Sequence, residues 1–304
     1  TLLDTVSGRM SSSSPSSARP KIKAAIFDLD GTLLDTEALS CRAVIDSFEL
    51  TNAPLKPDIR SHLKQNGDLL PWELKRRILG LRGSEWVPIL LEYAQDKWDW
   101  VGEKELDWTN GWQSRDQKES ETRERIVLTF IETWERRLGD LCAEVEACPG
   151  ASELVRALFE QGNLFLAVAT SSRSAAVQKK RSKHELSMFR CFEHIVTGDD
   201  KNVRNGKPAP DIFLEAARKL GVHPSECLVF EDSLQGAQSG KAAGCVVIVV
   251  PDKRMEKEAF LDHSDHIIAS MWDFEGSKWG IDVDMRYSLD LNNPRVNTSE
   301  SKQR

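Results

Sequence analysis

The six cysteines of this 304-residue chain form no Cys-x-x-Cys pair. Cys41, Cys142, Cys148, Cys191, Cys227 and Cys245 are scattered, several inside apolar runs where a free thiol packs as a small hydrophobe. That pattern suits a reducing compartment, the cytoplasm. No apolar run approaches the ~20 residues that span a bilayer, so no membrane partner is expected. Positive charge is also short. The 41 Lys and Arg against 48 Asp and Glu leave a net charge of -7, which argues against a nucleic-acid surface. Residues 1–20 are rich in serine and lack the apolar segment of a secretory signal. They read as a disordered leader, with Arg9 and Arg19 keeping a transit-peptide reading open.

What is present is a soluble composition, 40% hydrophobic, with enough apolar residues for a sizeable core. Ala24 to Phe27 is a short apolar run that ends in Asp28-Leu29-Asp30-Gly31, the mark of a buried strand with an acidic C-terminal end. From Ala38 the period changes to that of helices, with Cys41, Ile45 and Phe48 on one stripe to about Leu50. Pro54 and Pro57 break that pattern. Helical stripes resume after Pro71, around Trp86 to Ala94, and most strongly from Ile126 to Leu141. The segment from Gln95 to Ser120 fits neither period, and it carries Trp98, Trp100, Trp108 and Trp112. It reads as an inserted loop whose tryptophans tuck onto nearby helices, with an aromatic contact surface as the alternative.

From Cys148 onward strands and helices alternate. Strand runs lie at Leu164–Ala169, His194–Val196, Cys227–Phe230 and Cys245–Val250, with an edge strand at His266–Ile268. This order predicts an α/β fold, a Rossmann-like parallel sheet core with an inserted helical cap. The core takes residues 21–36 and 148–282, because a lone strand bearing Asp28 cannot bury its own faces. Residues 37–147 form the cap, and 283–304 a polar tail.

Parallel strands bring their C-terminal ends to one side, where ligands bind. Four such places carry polar residues: Asp28 and Asp30; Thr170-Ser171-Ser172, with a hydroxyl and backbone N–H groups; Lys207 in Gly206-Lys207-Pro208; and Glu231-Asp232-Ser233. Each alone has a plainer reading, as an Asp-Gly turn, a helix N-cap or a solvated lysine. Together they make a phosphoryl-transfer site. Carboxylates from two strands can hold Mg²⁺, and a lysine with a threonine can cradle the transferring group. One carboxylate can attack phosphorus. Its neighbour, crowded by negative charge, is expected to keep a raised pKa as general acid and base.

These residues resemble the four motifs of the haloacid dehalogenase-like hydrolases, with D-L-D-G-T at Asp28 to Thr32, Thr170, Lys207 and E-D-S at Glu231 to Ser233. The resemblance implies that Asp28 is the nucleophile and Asp30 the acid/base, with Thr170 and Lys207 binding phosphate. It places Mg²⁺ on Asp28, Asp232 and the Asp30 carbonyl, with Glu231 helping through water. A finer resemblance, to the pseudouridine-5′-phosphatase-like branch, rests on H-I-V-T-G-D-D at His194 to Asp200, G-K-P-A-P-D-I-F-L at Gly206 to Leu214 and C-L-V-F-E-D-S at Cys227 to Ser233. It implies Mg²⁺-dependent hydrolysis of a small phosphorylated metabolite, possible substrates including pseudouridine 5′-phosphate. A sugar phosphomutase on the same core and a catalytically idle phosphate-binding module are the alternatives. Within the cap, the loop Gly80-Leu81-Arg82-Gly83 with Trp86 is the candidate contact to the leaving group, a plain interhelical turn with Trp86 in the cap core being the alternative.

Overall fold

The computed structural model describes residues 21–51, 53–67, 69–79, 81–102, 106–107 and 116–285. The leader, the tail from 286, Gly80, Trp108 and Trp112 lie outside them. Strand β1 (Ala24–Phe27) is followed by a two-residue strand β2 (Leu34–Asp35) and then by five helices: α1 (Glu37–Leu50), α2 (Pro57–Gln65), α3 (Trp72–Ile78), α4 (Gly83–Lys97) and α5 (Gln117–Leu141). Strand β3 (Glu146–Ala147) pairs antiparallel with β2, which draws the two ends of the helical insertion together. The alternating part runs α6 (Ala151–Glu160), β4 (Phe165–Ala169), α7 (Ser174–Arg181), β5 (His194–Val196), α8 (Asp211–Leu220), β6 (Cys227–Glu231), α9 (Leu234–Ala242), β7 (Val246–Val249) and β8 (His266–Ile267).

The main sheet is six-stranded and parallel, in the order β5-β4-β1-β6-β7-β8. Its central strand is apolar at every position because helices cover both faces. Ala25 and Phe27 enter one core layer with Leu228 and Phe230, while Ala24 and Ile26 enter the other with Cys227 and Val229. Chain order reverses beside β1, so the crevice lies at the carboxyl ends of β4, β1 and β6.

The five inserted helices have their own hydrophobic cluster, built on Cys41, Ile45, Phe48, Leu74, Leu90 and Phe130 among others. Ala38, expected on the buried stripe of α1, is exposed. Trp98 and Trp100 are buried with their rings edge-on to Phe48, and Trp100 Nε1 donates to Ala53 O at 2.7 Å. These two tryptophans are cap core. Helix α1 ends at Leu50, before Pro54 and Pro57, and Pro57 begins α2 at a first-turn position that needs no N–H. At the other end of the chain Gln161 and Asp284 exchange hydrogen bonds, and Met285 is buried. Among the described residues no helix is long and apolar enough to cross a membrane.

Candidate active site

Asp28 directly follows β1, held in line by its N–H donating to Phe230 O at 3.0 Å. The chain then turns sharply at Gly31, with φ +91°, a conformation glycine adopts without strain. A Cβ there would collide with Asp232 Oδ2, so glycine lets the β1 and β6 loops touch. Gly236, in the first turn of α9, has the same use on the other side, since a Cβ would strike the Glu231 carboxylate.

Lys207 crosses the ends of three strands. Its Nζ lies 2.5 Å from Asp28 Oδ1 and 2.6 Å from Glu231 Oε1, and it donates to Ala169 O at 3.3 Å. Glu231 is fully buried. Its second oxygen accepts from the Asp232 N–H, the Ser233 N–H and Ser233 Oγ at 3.0 to 3.1 Å, so the protein satisfies both of its oxygens. Asp232 differs, because among the described residues no side chain donates to its carboxylate.

Oxygens of Asp28, Glu231 and Asp232 all lie within 4.8 Å of one another. Three clustered carboxylates thus share one ammonium, and the charge imbalance shows in the titration of Asp28 and Asp232. Burial pushes Asp28 up to about 7 against the pull of Lys207, with Glu231 and Asp30 adding to the rise. Burial, Glu231 and Asp28 carry Asp232 well above the ordinary carboxylate range. Lys207, which burial alone would lower, is held above its ordinary value by Asp28 and Glu231. A hard divalent cation suits this uncompensated oxygen cluster, and each of the three carboxylates offers an oxygen that could hold one.

Asp30 corrects an expectation. Burial would raise it, but the Lys180 ammonium and hydrogen bonds from Lys180, Ser172 and Thr36 outweigh burial and hold it below its ordinary value. Lys180 Nζ is 2.6 Å from Asp30 Oδ1, and Ser172 Oγ donates to Asp30 Oδ2 at 2.7 Å. The crowding argument missed this partner. Lys180 sits in a Lys-Lys-Arg stretch that reads as a solvated helix face, yet it lies three residues after Val177, the buried apolar position of α7. That helical phase was the available signal.

Thr170 follows β4 and is buried; its Oγ1 accepts from the Ser172 N–H at 3.1 Å, while Ser171 is exposed. From the cap, the Arg82 guanidinium lies against Gly206, next to Lys207, and a Cβ on Gly206 would clash with it. Trp86 is elsewhere. It is buried in the cap core, edge-on to Trp134 and Phe130 at 5.2 and 6.2 Å. Another cap-to-core contact was not foreseen: Arg254, after β7, stacks 4.5 Å over the Trp72 ring of α3 and pairs with Asp252 and Glu37.

A model of the haloacid dehalogenase-like hydrolases matches residues 22–244. The probable pseudouridine-5′-phosphatase of Drosophila melanogaster is 33% identical over 86% of this chain and 95% of its own length. The mitochondrial (DL)-glycerol-3-phosphatase 1 of Arabidopsis thaliana is 31% identical, over 86% of this chain and 75% of its own. Among solved structures, CbbY from Rhodobacter sphaeroides in complex with phosphate shares the fold, with a TM-score of 0.59, 24% identity, and coverage of 83% of this chain and 96% of that one. The family match takes in strands β1, β4, β5 and β6, among them the two whose ends carry the clustered carboxylates, and the helices inserted after β2. The chain therefore belongs to the haloacid dehalogenase-like hydrolases and is one of their phosphatases.

Proposed function

We propose that the enzyme hydrolyses phosphate monoesters of small metabolites in a Mg²⁺-dependent reaction through an aspartyl-phosphate on Asp28. The observation that carries this reading is the cluster of Asp28, Glu231 and the half-buried Asp232 around Lys207, two positive charges short of neutral when all three carboxylates are ionised and open to a cation through Asp232. Mg²⁺ would be held by the Asp28 and Asp232 carboxylates and the Asp30 carbonyl, with Glu231 reaching it through water. Its contribution when bound is to withdraw charge from the phosphoryl oxygens.

The remaining steps belong to the side chains. Lys207, Thr170 and the backbone N–H groups at Ser171 grip the phosphate and orient it in line with Asp28. One Asp28 oxygen attacks phosphorus while the ester P–O bond breaks, and Asp30 gives its proton to the departing oxygen. Water then attacks the aspartyl-phosphate, surrenders a proton to Asp30, and releases inorganic phosphate. The ion pair with Lys180 keeps Asp30 in the form that accepts this second proton, and an arriving phosphate dianion raises its affinity for the first.

We assign the leaving-group contact to Arg82, whose guanidinium lies against Gly206 beside Lys207, and a ring-bearing nucleotide such as pseudouridine 5′-phosphate is the substrate we favour. Six unpaired cysteines support a cytoplasmic enzyme. The test is phosphate release over a panel of pseudouridine 5′-phosphate, flavin mononucleotide, glycerol phosphates and hexose phosphates. Stoichiometric phosphate with a nucleotide preferred is the expected outcome, and isomerisation of a sugar phosphate without phosphate release would replace this reading with a mutase. Asp28→Asn should fold and be inactive, because an amide cannot serve as the attacking carboxylate. Full turnover in that variant would remove Asp28 as nucleophile.

A further inference from the structure

A second buried ammonium stands at the same end of the sheet, and the carboxylate cluster does not use it. Lys180 comes from the last turn of α7 and its side chain is only 3% exposed, although its neighbour Lys179 is exposed. A buried ammonium persists where it is paired and hydrogen-bonded, and Lys180 has both kinds of partner. It donates to Asp30 Oδ1 at 2.6 Å and to Ser172 Oγ at 2.9 Å, and Ser172 Oγ in turn donates to Asp30 Oδ2 at 2.7 Å. The three groups close a ring. With Thr36 adding a further hydrogen bond, both oxygens of Asp30 are tied to residues on three different segments.

The ring has a geometric result. Asp30 lies two residues from Asp28 on a tight turn, yet its carboxylate is not a member of the group formed by Asp28, Glu231 and Asp232. Its two oxygens are held instead by Lys180 from α7 and by Ser172.

We propose that Lys180 is a positioning residue: with Ser172 it holds the Asp30 carboxylate clear of the clustered carboxylates, so that Asp30 serves the proton of the leaving group. The inference rests on the reading of Asp30 as the acid/base. Lys180 touches neither substrate nor reacting atoms, and it acts through Asp30 alone.

That restriction makes the proposal testable by leaving group. An alkyl ester such as glycerol 3-phosphate needs its departing oxygen protonated, whereas p-nitrophenyl phosphate expels a stable phenolate. The ratio kcat/KM reports only the half-reaction in which that bond breaks, before water attacks. Lys180→Met should lower kcat/KM for the alkyl ester by about tenfold or more, part of the ~10²–10⁴ that acid–base catalysis supplies. For the aryl ester the loss should stay under about threefold on the same grounds. Lys180→Arg should recover part of the alkyl rate. Adding Lys180→Met to Asp30→Asn should cost nothing further, because two residues acting through one carboxylate are not additive. Equal losses on both esters, or multiplied losses in the double variant, would overturn the positioning role while leaving Asp30 as the acid/base. An unchanged alkyl rate in Asp30→Asn would instead remove the reading of Asp30, and this inference with it. If circular dichroism shows that Lys180→Met does not fold, Ser172→Ala cuts the other tether and is judged by the same alkyl-to-aryl split.

Discussion

Metal-free protein should lose stability as pH rises from about 4 to about 7, and Asp28→Asn should remove a large part of that loss. Asp28 is raised from 3.8 to about 7, first by burial and then by Glu231 and Asp30, with Lys207 only partly offsetting them. A carboxyl whose folded pKa exceeds its unfolded one is protonated in the folded state where the unfolded chain has already released the proton. Its contribution is therefore full below the unfolded value, declines through the interval, and is gone above the folded value. At 1.36 kcal/mol per unit, about three units amount to about 4 kcal/mol as a ceiling for this one group. Asp232, also raised, acts in the same direction. Lowered groups such as Asp30 and Glu215 work elsewhere: their stabilisation is present above the unfolded pKa and fades only as pH falls through the folded one. The window above pH 4 thus belongs to the raised carboxyls. Urea unfolding followed by tryptophan fluorescence, in excess chelator and at several pH values across that window, measures the slope. Wild type should fall, and Asp28→Asn, whose amide carries no charge at any pH but still accepts from Lys207, should fall less by up to about 4 kcal/mol. Parallel profiles for the two proteins would refute the assignment of the slope to Asp28.

Asp232→Ala should raise the Mg²⁺ concentration needed for activity by on the order of tenfold or more, while leaving metal-free stability at pH 7 unchanged or higher, because burial and repulsion from Glu231 and Asp28 outweigh the pull of Lys207 on its carboxylate. Activity at the wild-type Mg²⁺ level would contradict the metal assignment. Arg82→Ala and Trp86→Ala should separate the two parts of the candidate cap contact. Arg82 is exposed, so its loss should change stability by no more than about 0.5 kcal/mol yet lower kcat/KM for the preferred nucleotide more than for a small generic ester. Trp86 fills the space between Phe130 and Trp134, so its loss should cost about 3–5 kcal/mol and reduce activity on all substrates alike. Reversed behaviour of the pair, read by thermal melts beside the two-substrate kinetics, would reassign the roles.

Much of the site was legible because strand direction does the gathering. Once Ala24–Phe27, Leu164–Ala169 and Cys227–Phe230 are read as parallel strands, Asp28, Thr170 and Glu231 must emerge at one edge, however far apart they are in the chain. What stayed hidden depended on the phase or length of small elements. The β2–β3 pair is too short to leave a period, and Pro57 marks a helix start or a helix stop with equal ease until the following turn is seen. The direction of a pKa was the least legible quantity of all. Counting carboxylates put the raised pKa on the acid/base, Asp30, but it falls on Asp28, because which of the two is raised depends on where the ammoniums land. Lys207 is divided between Asp28 and Glu231, at 2.5 and 2.6 Å, and so leaves Asp28 undercompensated. Lys180 has Asp30 as its one carboxylate partner among the described residues. A side chain two positions away on the same turn therefore titrates in the opposite direction, and the cause is a lysine 150 residues later whose only mark in the sequence is its spacing from Val177.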